Sequence, residues 1–445
     1  MSFLIKNADV GNLDDLSTSG KDILIEGGRF KKIADHIDPK ECPEATVIEA
    51  NHMLALPGFT DCHSHVYQTF IKGPLDDLVI TDWLVRLFTF EDYMTDEDYY
   101  YATLLSCLSA MRFGTTTINE MGGYEHLDAT LQAFEDAGIR VTFGISTTDI
   151  AENEVTPIIS VQEALRRSEE VYDKVHGRNH GLMRASVAPA GLPAVSAEMA
   201  KTLKAWANER GLIYHTHLGE GKMETERVAK EYGLGGEGEA LEYLGILDEK
   251  TLLAHSIWLS DHELDIIART GAIPVHCPNT NMKISDGIPK IAQMLERGIP
   301  VAMGCDGEAS SGTKDMVREG KAGSYLQKAV TLDPTVMDAG TTFKMMTING
   351  AKALGYDDLG EIKEGYQADM ILVNMEDDLS LTDRDHRIGN LLYAGTGHAV
   401  DTVFVAGQPK VRNKKIQHFD EQFILNKCNE LIHKLNVRTG YVKED

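Results

Sequence analysis

The sequence predicts an α/β protein, a (β/α)8 TIM-like barrel with a small β-sandwich-like domain formed by both termini. Three features predict it. Eight short apolar runs alternate with amphipathic helical segments through the middle of the chain. Strand-and-turn texture occupies both ends. Histidines and acids collect at the C-terminal ends of the apolar runs, the face on which barrel active sites lie.

The ends come first. Residues 1–54 read as the strands FLIKNADV, KDILIEGGRFKKIA and ATVIEANHMLAL, with a Gly-Gly hairpin signal inside the second. The same texture returns in ADMILVNM (368–375) and VDTVFVAGQPKV (400–411). Residues 1–54 and 359–445 are therefore expected to form one composite β domain. A closing helix over 419–436 follows from the spacing of Phe423, Ile424, Cys428, Leu431 and Ile432.

The predicted barrel spans 55–358. Its strands are ALPGFTD (55–61), TTTINE (115–120), RVTFGIS (140–146), LMRASVAP (182–189), GLIYHTHL (211–218), TLLAHS (251–256), GAIPVHC (271–277) and PVAMGCD (300–306). Helical segments such as 95–112, 126–137, 160–174, 196–209, 222–231, 261–269 and 289–297 separate them.

Charge and cysteine usage bound the function. A formal net charge of −26 repels phosphate backbones and anionic lipid, so nucleic-acid and membrane-surface partners are not expected. The six cysteines form no CxxC pair and read as packing residues in a reducing compartment. The N-terminus lacks a basic start followed by an apolar run, and no apolar stretch of about 18 residues occurs. A cytoplasmic protein is expected.

The chemistry lies at the strand ends. His63 and His65 alternate along an extended segment and so point the same way, letting two imidazoles grip one ion. His215, His217 and Glu220 end the fifth strand, His255 the sixth, His276 the seventh and Asp306 the eighth. An HxH pair with a third imidazole and a carboxylate suits a catalytic divalent ion with a position left for water.

These segments resemble a known family. PGFTDCHSH resembles the PGxxxxHxH signature of the amidohydrolase superfamily. HTHLGE, LLAHS, VHCPNTNMK and GCDGEASS resemble the later motifs of its nucleobase and nucleoside deaminase/chlorohydrolase branch. That branch includes S-adenosylhomocysteine/methylthioadenosine deaminases, guanine deaminase, melamine deaminase and atrazine chlorohydrolase. GEIKEGYQADMILV resembles the family's return to the β domain, so the resemblance covers most of the chain.

The resemblance implies that His63, His65, His217 and Asp306 hold one divalent ion, zinc first, with iron or manganese as alternatives. LMRASVAP has no lysine that would bridge a second ion. Glu220 is implied to shuttle a proton to the substrate ring, His255 to orient the attacking water or contact substrate, and His276 to support the aspartate or line the site. Asp306 would accept the water proton. Residues 66–90 are implied to form a loop closing over the substrate, with Gln68 and Trp83 as contacts. The implied activity is hydrolytic deamination of an amino-substituted nitrogen heterocycle of purine, pterin or triazine type. The alternative is displacement of chloride or an alkylamine, or opening of a cyclic amide. A homo-oligomer is implied.

Two departures stand out. Ala190 takes the place of a histidine that nucleoside deaminases of the branch carry after the fourth strand, as in the triazine hydrolases. In GCDGEASSG, Ser311 replaces an asparagine, and Glu308 reads as a solvated loop carboxylate. His215 faces away from His217 and reads as packing or support. His36, His52, His126, His176, His180, His262, His386, His418 and His433 read as surface residues.

Overall fold

The computed structural model describes residues 1–443. Strands β1 (Ser2–Gly11), β2 (Thr18–Glu26), β3 (Arg29–Ala34), β4 (Thr46–Glu49) and β5 (Leu54–Pro57) come from the N-terminal end. The middle supplies β6 (Phe59–His65), β7 (Thr115–Gly122), β8 (Arg140–Thr147), β9 (Met183–Ala185), β10 (Ala188–Pro189), β11 (Tyr214–Leu218), β12 (Thr251–His255), β13 (Ile273–His276), β14 (Ala302–Met303) and β15 (Asp306–Gly307). The C-terminal end adds β16 (Met370–Val373), β17 (Val400–Val405), β18 (Gln408–Arg412) and β19 (Lys415–Ile416).

Strands from both ends share one nine-stranded sheet in the order β19-β18-β17-β16-β5-β1-β2-β3, with β4 beside β1. The junction of the two ends is β5 against β16, antiparallel, Leu54 facing Val373 and Pro57 facing Met370. The β2–β3 hairpin turns at Gly27 and Gly28, whose φ values of 60° and 79° suit the right-handed twist of the flanking strands. Phe3, Ile5, Ile23, Phe30, Met370 and Phe404 form its apolar cluster.

The middle is a parallel α/β arrangement consistent with a TIM-like barrel. β6, β7 and β8 pair in parallel, and β8 pairs with both β9 and β10. A parallel bridge from Val187 to Tyr214 leads to β11, followed by β12, β13 and β14 in parallel. Two residues after β14 the chain enters β15, which pairs with β6, Asp306 opposite Ser64. Side-chain caps start the intervening helices: Ser160, Ser196 and Ser260 each accept from a backbone N–H of the first turn. Left-handed glycines at 138, 211, 233 and 271 end them.

The structure corrects the sequence reading in two places. The run ALPGFTD is divided: its first residues belong to β5 of the terminal sheet, and the first parallel strand begins at Phe59. Gly58 is the break, because a Cβ there would lie 2.3 Å from the Thr116 side chain. Residues 66–90 are largely helical rather than a loop, with a short 3-10 helix Val66–Ile71 and an α-helix Ile80–Glu91. The C-terminal helix Glu421–Arg438 buries Ile424, Cys428, Leu431 and Leu435, while Phe423 is exposed. It packs on helix Asp96–Arg112, where Arg438 donates to Asp98. Among the described residues no helix is long and apolar enough to cross a membrane.

Candidate active site

β6, β11, β12 and β15 bring the predicted groups to one place. Ligand atoms of His63, His65 and His217 lie within 4.8 Å of one another, as do those of His63, His255 and Asp306, and those of His217, Glu220 and His255. Asp306 Oδ1 lies 3.3 Å from His63 Nε2 and 3.4 Å from His65 Nε2. His255 Nε2 lies 3.5 Å from Glu220 Oε1. The rings of His65, His217 and His255 stack nearly parallel, and His63 stands across all three.

Outer contacts fix how these rings face. His65 Nδ1 donates to the Met121 carbonyl (2.7 Å) and His217 Nδ1 to the Ala190 carbonyl (2.5 Å), so both turn an Nε2 lone pair inward. His255 Nδ1 donates to Asn281 Oδ1 at 2.9 Å, with the same result. His63 Nδ1 shares a 3.0 Å hydrogen bond with His215 Nε2, and the Asn119 amide reaches His215 Nδ1 at 3.0 Å. His215 therefore supports His63 from behind, as its opposite facing on β11 implies.

The charge states suit a cation. Burial drives the His63 and His215 rings well below the ordinary histidine range and His65 to about 4. Burial alone would raise the Asp306 carboxyl, but His63, His65 and His255 outweigh it and hold Asp306 well below its ordinary value. The buried Nε2 atoms of His63 and His255 have no hydrogen-bond partner in the protein. The Nε2 atoms of His63, His65 and His217 with the ionised Asp306 carboxylate fit a divalent ion.

Some backbone strain is concentrated here. His255, Ser256 and Asp306 have φ of 68°, 50° and 62°. A side-chain-bearing residue in this left-handed region costs on the order of 1–3 kcal/mol. The conformation swings the Asp306 carboxylate onto the imidazoles, and Gly307 N donates to its Oδ1 at 2.7 Å.

A cavity of about 820 Å³ opens over the cluster, with His65, His217, Glu220, Asp306, Gln68 and Trp83 in its wall. Burial lifts the Glu220 carboxyl to about 7; His217 opposes the shift, and Asp306, Glu152 and Glu237 add to it. Gln68 and Trp83 are buried, and Gln68 Oε1 and Trp83 Nε1 have no protein partner. The Gln68 amide sits so close to Gly307 that a Cβ there would lie 1.8 Å from its Oε1. His276 is not among the wall residues: it is fully buried beside Gly323, both ring nitrogens lack a protein partner, and burial takes it to about 3.

One surface expectation is refined and one is overturned. His126 lines the cavity, stacked on Tyr99 at 4.5 Å and paired with Asp96 at 2.6 Å. Glu308 is buried and pairs with Lys72 at 3.2 Å, because the short helix Glu308–Ser311 folds it inward.

Several supporting groups escaped the sequence reading. Asp61 Oδ1 accepts from the amides of Cys305 (2.9 Å) and His63 (3.3 Å). Glu120 accepts from the Val66 amide through both oxygens at 3.1 Å, and burial lifts its carboxyl to about 8. Lys314, fully buried, reaches Asp61 Oδ2 (3.3 Å), Ser64 Oγ (2.6 Å) and the Asp306 carbonyl (2.5 Å). Glu120 and His126 follow the strand-end rule at β7; Lys314, in a loop, carries no local signal.

The profile described as "Amidohydrolase family" matches residues 54–410. The chain is 33% identical over 430 residues to a 5-methylthioadenosine/S-adenosylhomocysteine deaminase of Pyrococcus furiosus, covering 96% of this chain and 100% of that protein. It is 32% identical over 404 residues to a 5'-deoxyadenosine deaminase of Methanothermobacter thermautotrophicus, covering 91% and 92%. An adenosine deaminase structure from Xanthomonas campestris with bound zinc matches at TM-score 0.89 and 25% identity over 98% of both chains. The profile spans most of the chain and the relatives align nearly end to end: this chain belongs to the amidohydrolase family.

Proposed function

We propose that this chain is a metal-dependent hydrolytic deaminase that releases ammonia from an amino-substituted purine carried on a nucleoside altered at its 5' position. The observation that carries the reading is Glu220. Its carboxyl lies 3.5 Å from His255 Nε2 in the wall of the cavity and is lifted to about 7, so it can hold a proton near neutral pH.

His63, His65, His217 and Asp306 would hold the ion, zinc first. When bound, it supplies Lewis acidity and lowers the pKa of water toward about 7. The remaining chemistry belongs to the chain. Protonated Glu220 gives its proton to a ring nitrogen, which makes the adjacent amino-bearing carbon electrophilic. Ionised Asp306 accepts a proton from the attacking water and passes it to the amino group, so that the C–N bond breaks, ammonia leaves and the carbonyl forms. His255, tied through Nδ1 to Asn281, turns Nε2 to the same point and orients that water. Trp83 and the free amide oxygen of Gln68 supply a flat face and a polar contact for the heterocycle. Helix Ile80–Glu91 walls off bulk solvent with Ile80, Leu84, Leu87 and Phe88.

The nucleoside assignment rests on what the curated relatives are named for, and on a cavity of about 820 Å³, at the large end of small-molecule pockets. Ala190 favours a second reading, displacement of another leaving group, because an aliphatic wall stands where the nucleoside branch carries an imidazole. Ammonia release by zinc-loaded protein over 5'-modified adenosines, guanine, pterins and aminotriazines separates the two. No ammonia from any nucleoside, with chloride or alkylamine released from a triazine, would reverse the order.

The wider reading has these supports. The return of β15 to β6 supports eight βα units closed into a barrel over 55–358. The shared nine-stranded sheet supports a composite domain of 1–54 with 359–445, of which residues 444–445 lie outside the described residues. All six cysteines are free, in keeping with a reducing cytoplasm. A homo-oligomer completes the proposal, and sedimentation analysis tests it.

A further inference from the structure

We infer that Lys314 is a positioning residue for the metal site, holding Asp306 and the His63–His65 strand in their ligand-presenting geometry. The inference rests on the reading of the histidine–aspartate cluster as a metal site, and not on the identity of the substrate.

Lys314 lies in the loop between the short helix Glu308–Ser311 and helix Met316–Thr331, and its side chain has no exposed surface. Its ammonium touches two strands at once. On β6 it reaches Asp61 Oδ2 and donates to Ser64 Oγ, two residues before and one residue after His63. On β15 it donates to the carbonyl of Asp306 itself. Asp61 completes the stitch, since its other oxygen accepts from the amides of His63 and of Cys305, the residue before Asp306. Glu120, opposite Ser64 on β7, accepts from the amide of Val66, the residue after His65. The HxH segment is thus gripped on both sides of its two imidazoles.

The Asp306 backbone explains why a cation is needed there. A left-handed φ of 62° turns its carbonyl into the buried interior, where it needs a donor. Lys314 supplies that donor and the countercharge for Asp61 in one group. Lys314 is not among the cavity-wall residues, and of its three partners only Asp306, held through its main-chain carbonyl, lines the cavity, so the role is support.

The test measures zinc affinity of metal-stripped protein by competition with a chromophoric chelator, with thermal unfolding of the stripped protein alongside. Lys314→Met leaves Asp61 as an uncompensated buried acid, so the double variant Asp61→Asn/Lys314→Met is made as well. The double variant is expected to unfold within a few degrees of wild type, yet to bind zinc about 10- to 100-fold more weakly, the loss typical of outer-shell partners of metal ligands. Zinc affinity within twofold of wild type in a folded variant overturns the inference. So does failure of both variants to fold, which would make Lys314 a residue of fold stability. Absence of tight zinc binding by the wild-type protein would instead sink the metal-site reading beneath it.

Discussion

The terminal sheet and the metal-site end each contain a buried lysine paired with an aspartate, and both pairs hold a residue with a left-handed backbone. In the sheet, Lys6 pairs with Asp22, whose Oδ1 accepts from the amide of Asn7 at 2.9 Å. Asn7 has φ of 58° and sits where the β1–β2 register shifts between Ile5 and Ala8. Below the histidines, Lys314 pairs with Asp61 and binds the carbonyl of Asp306, φ 62°. The device is the same, and the difference lies in what the pinned residue carries. Asn7 points an exposed side chain at solvent, so its pair preserves strand register. Asp306 points a carboxylate at three imidazoles. A buried ion pair by itself is a poor guide to stability, since desolvation offsets much of the attraction. Its consequence is read from the conformation it fixes.

Four measurements sharpen or break this contrast. The largest effect is expected where a group serves chemistry alone. Glu220→Gln should lower kcat/KM by about 10²- to 10⁴-fold with metal content and Tm unchanged. Retention of most of the activity would remove Glu220 from the mechanism. Next comes the support behind a ligand. His215→Phe takes away the partner of His63 Nδ1 and should weaken zinc binding about 10- to 100-fold. Unchanged affinity would mean His63 holds its orientation unaided.

The scaffold pair should behave in the opposite way. Asp22→Ala leaves Lys6 without its buried partner and should cost roughly 3–5 kcal/mol of stability while zinc affinity stays at the wild-type value. A parallel loss of zinc affinity would erase the distinction between the two pairs. The smallest effect is in pH. Burial alone would raise the Asp22 carboxyl, but Lys6 and the amides of Asn7 and Ile37 hold it below the ordinary value of 3.8. Because the folded value is the lower one, its stabilisation is complete above that pH and lost as pH falls through the folded value. The Tm gap between wild type and Asp22→Asn should be constant from about pH 5 upward and narrow below about pH 4. A gap that stays the same down to about pH 2 would assign Asp22 a role independent of its charge.

The same contrast explains what was legible in the sequence. His63, His65, His217, His255 and Asp306 are found by a local rule, because each stands at the end of an apolar run and the parallel arrangement of those runs does the rest. Glu120, at the end of the run TTTINE, obeys the same rule. Lys314 obeys no local rule. Its partner Asp61 lies 253 residues away, and a lysine in GEASSGTKD reads as solvated until the fold buries it. Glu308 misled for the same reason, since its partner Lys72 lies 236 residues away. The division of ALPGFTD turned on the close approach of Gly58 to Thr116, a contact that apolar patterning does not encode. Helix Ile80–Glu91 is legible in the helical spacing of its buried residues Trp83, Leu87 and Phe90, although the family resemblance implies a loop there.

Ala190 divides its duties between main chain and side chain. Its carbonyl accepts from both the backbone amide and the Nδ1 of His217, while the residue lines the cavity. The atoms that orient His217 are those every amino acid shares, and the side chain is the part that varies. Replacement at this position can therefore retune which molecules are accepted while the imidazole above it keeps its aim.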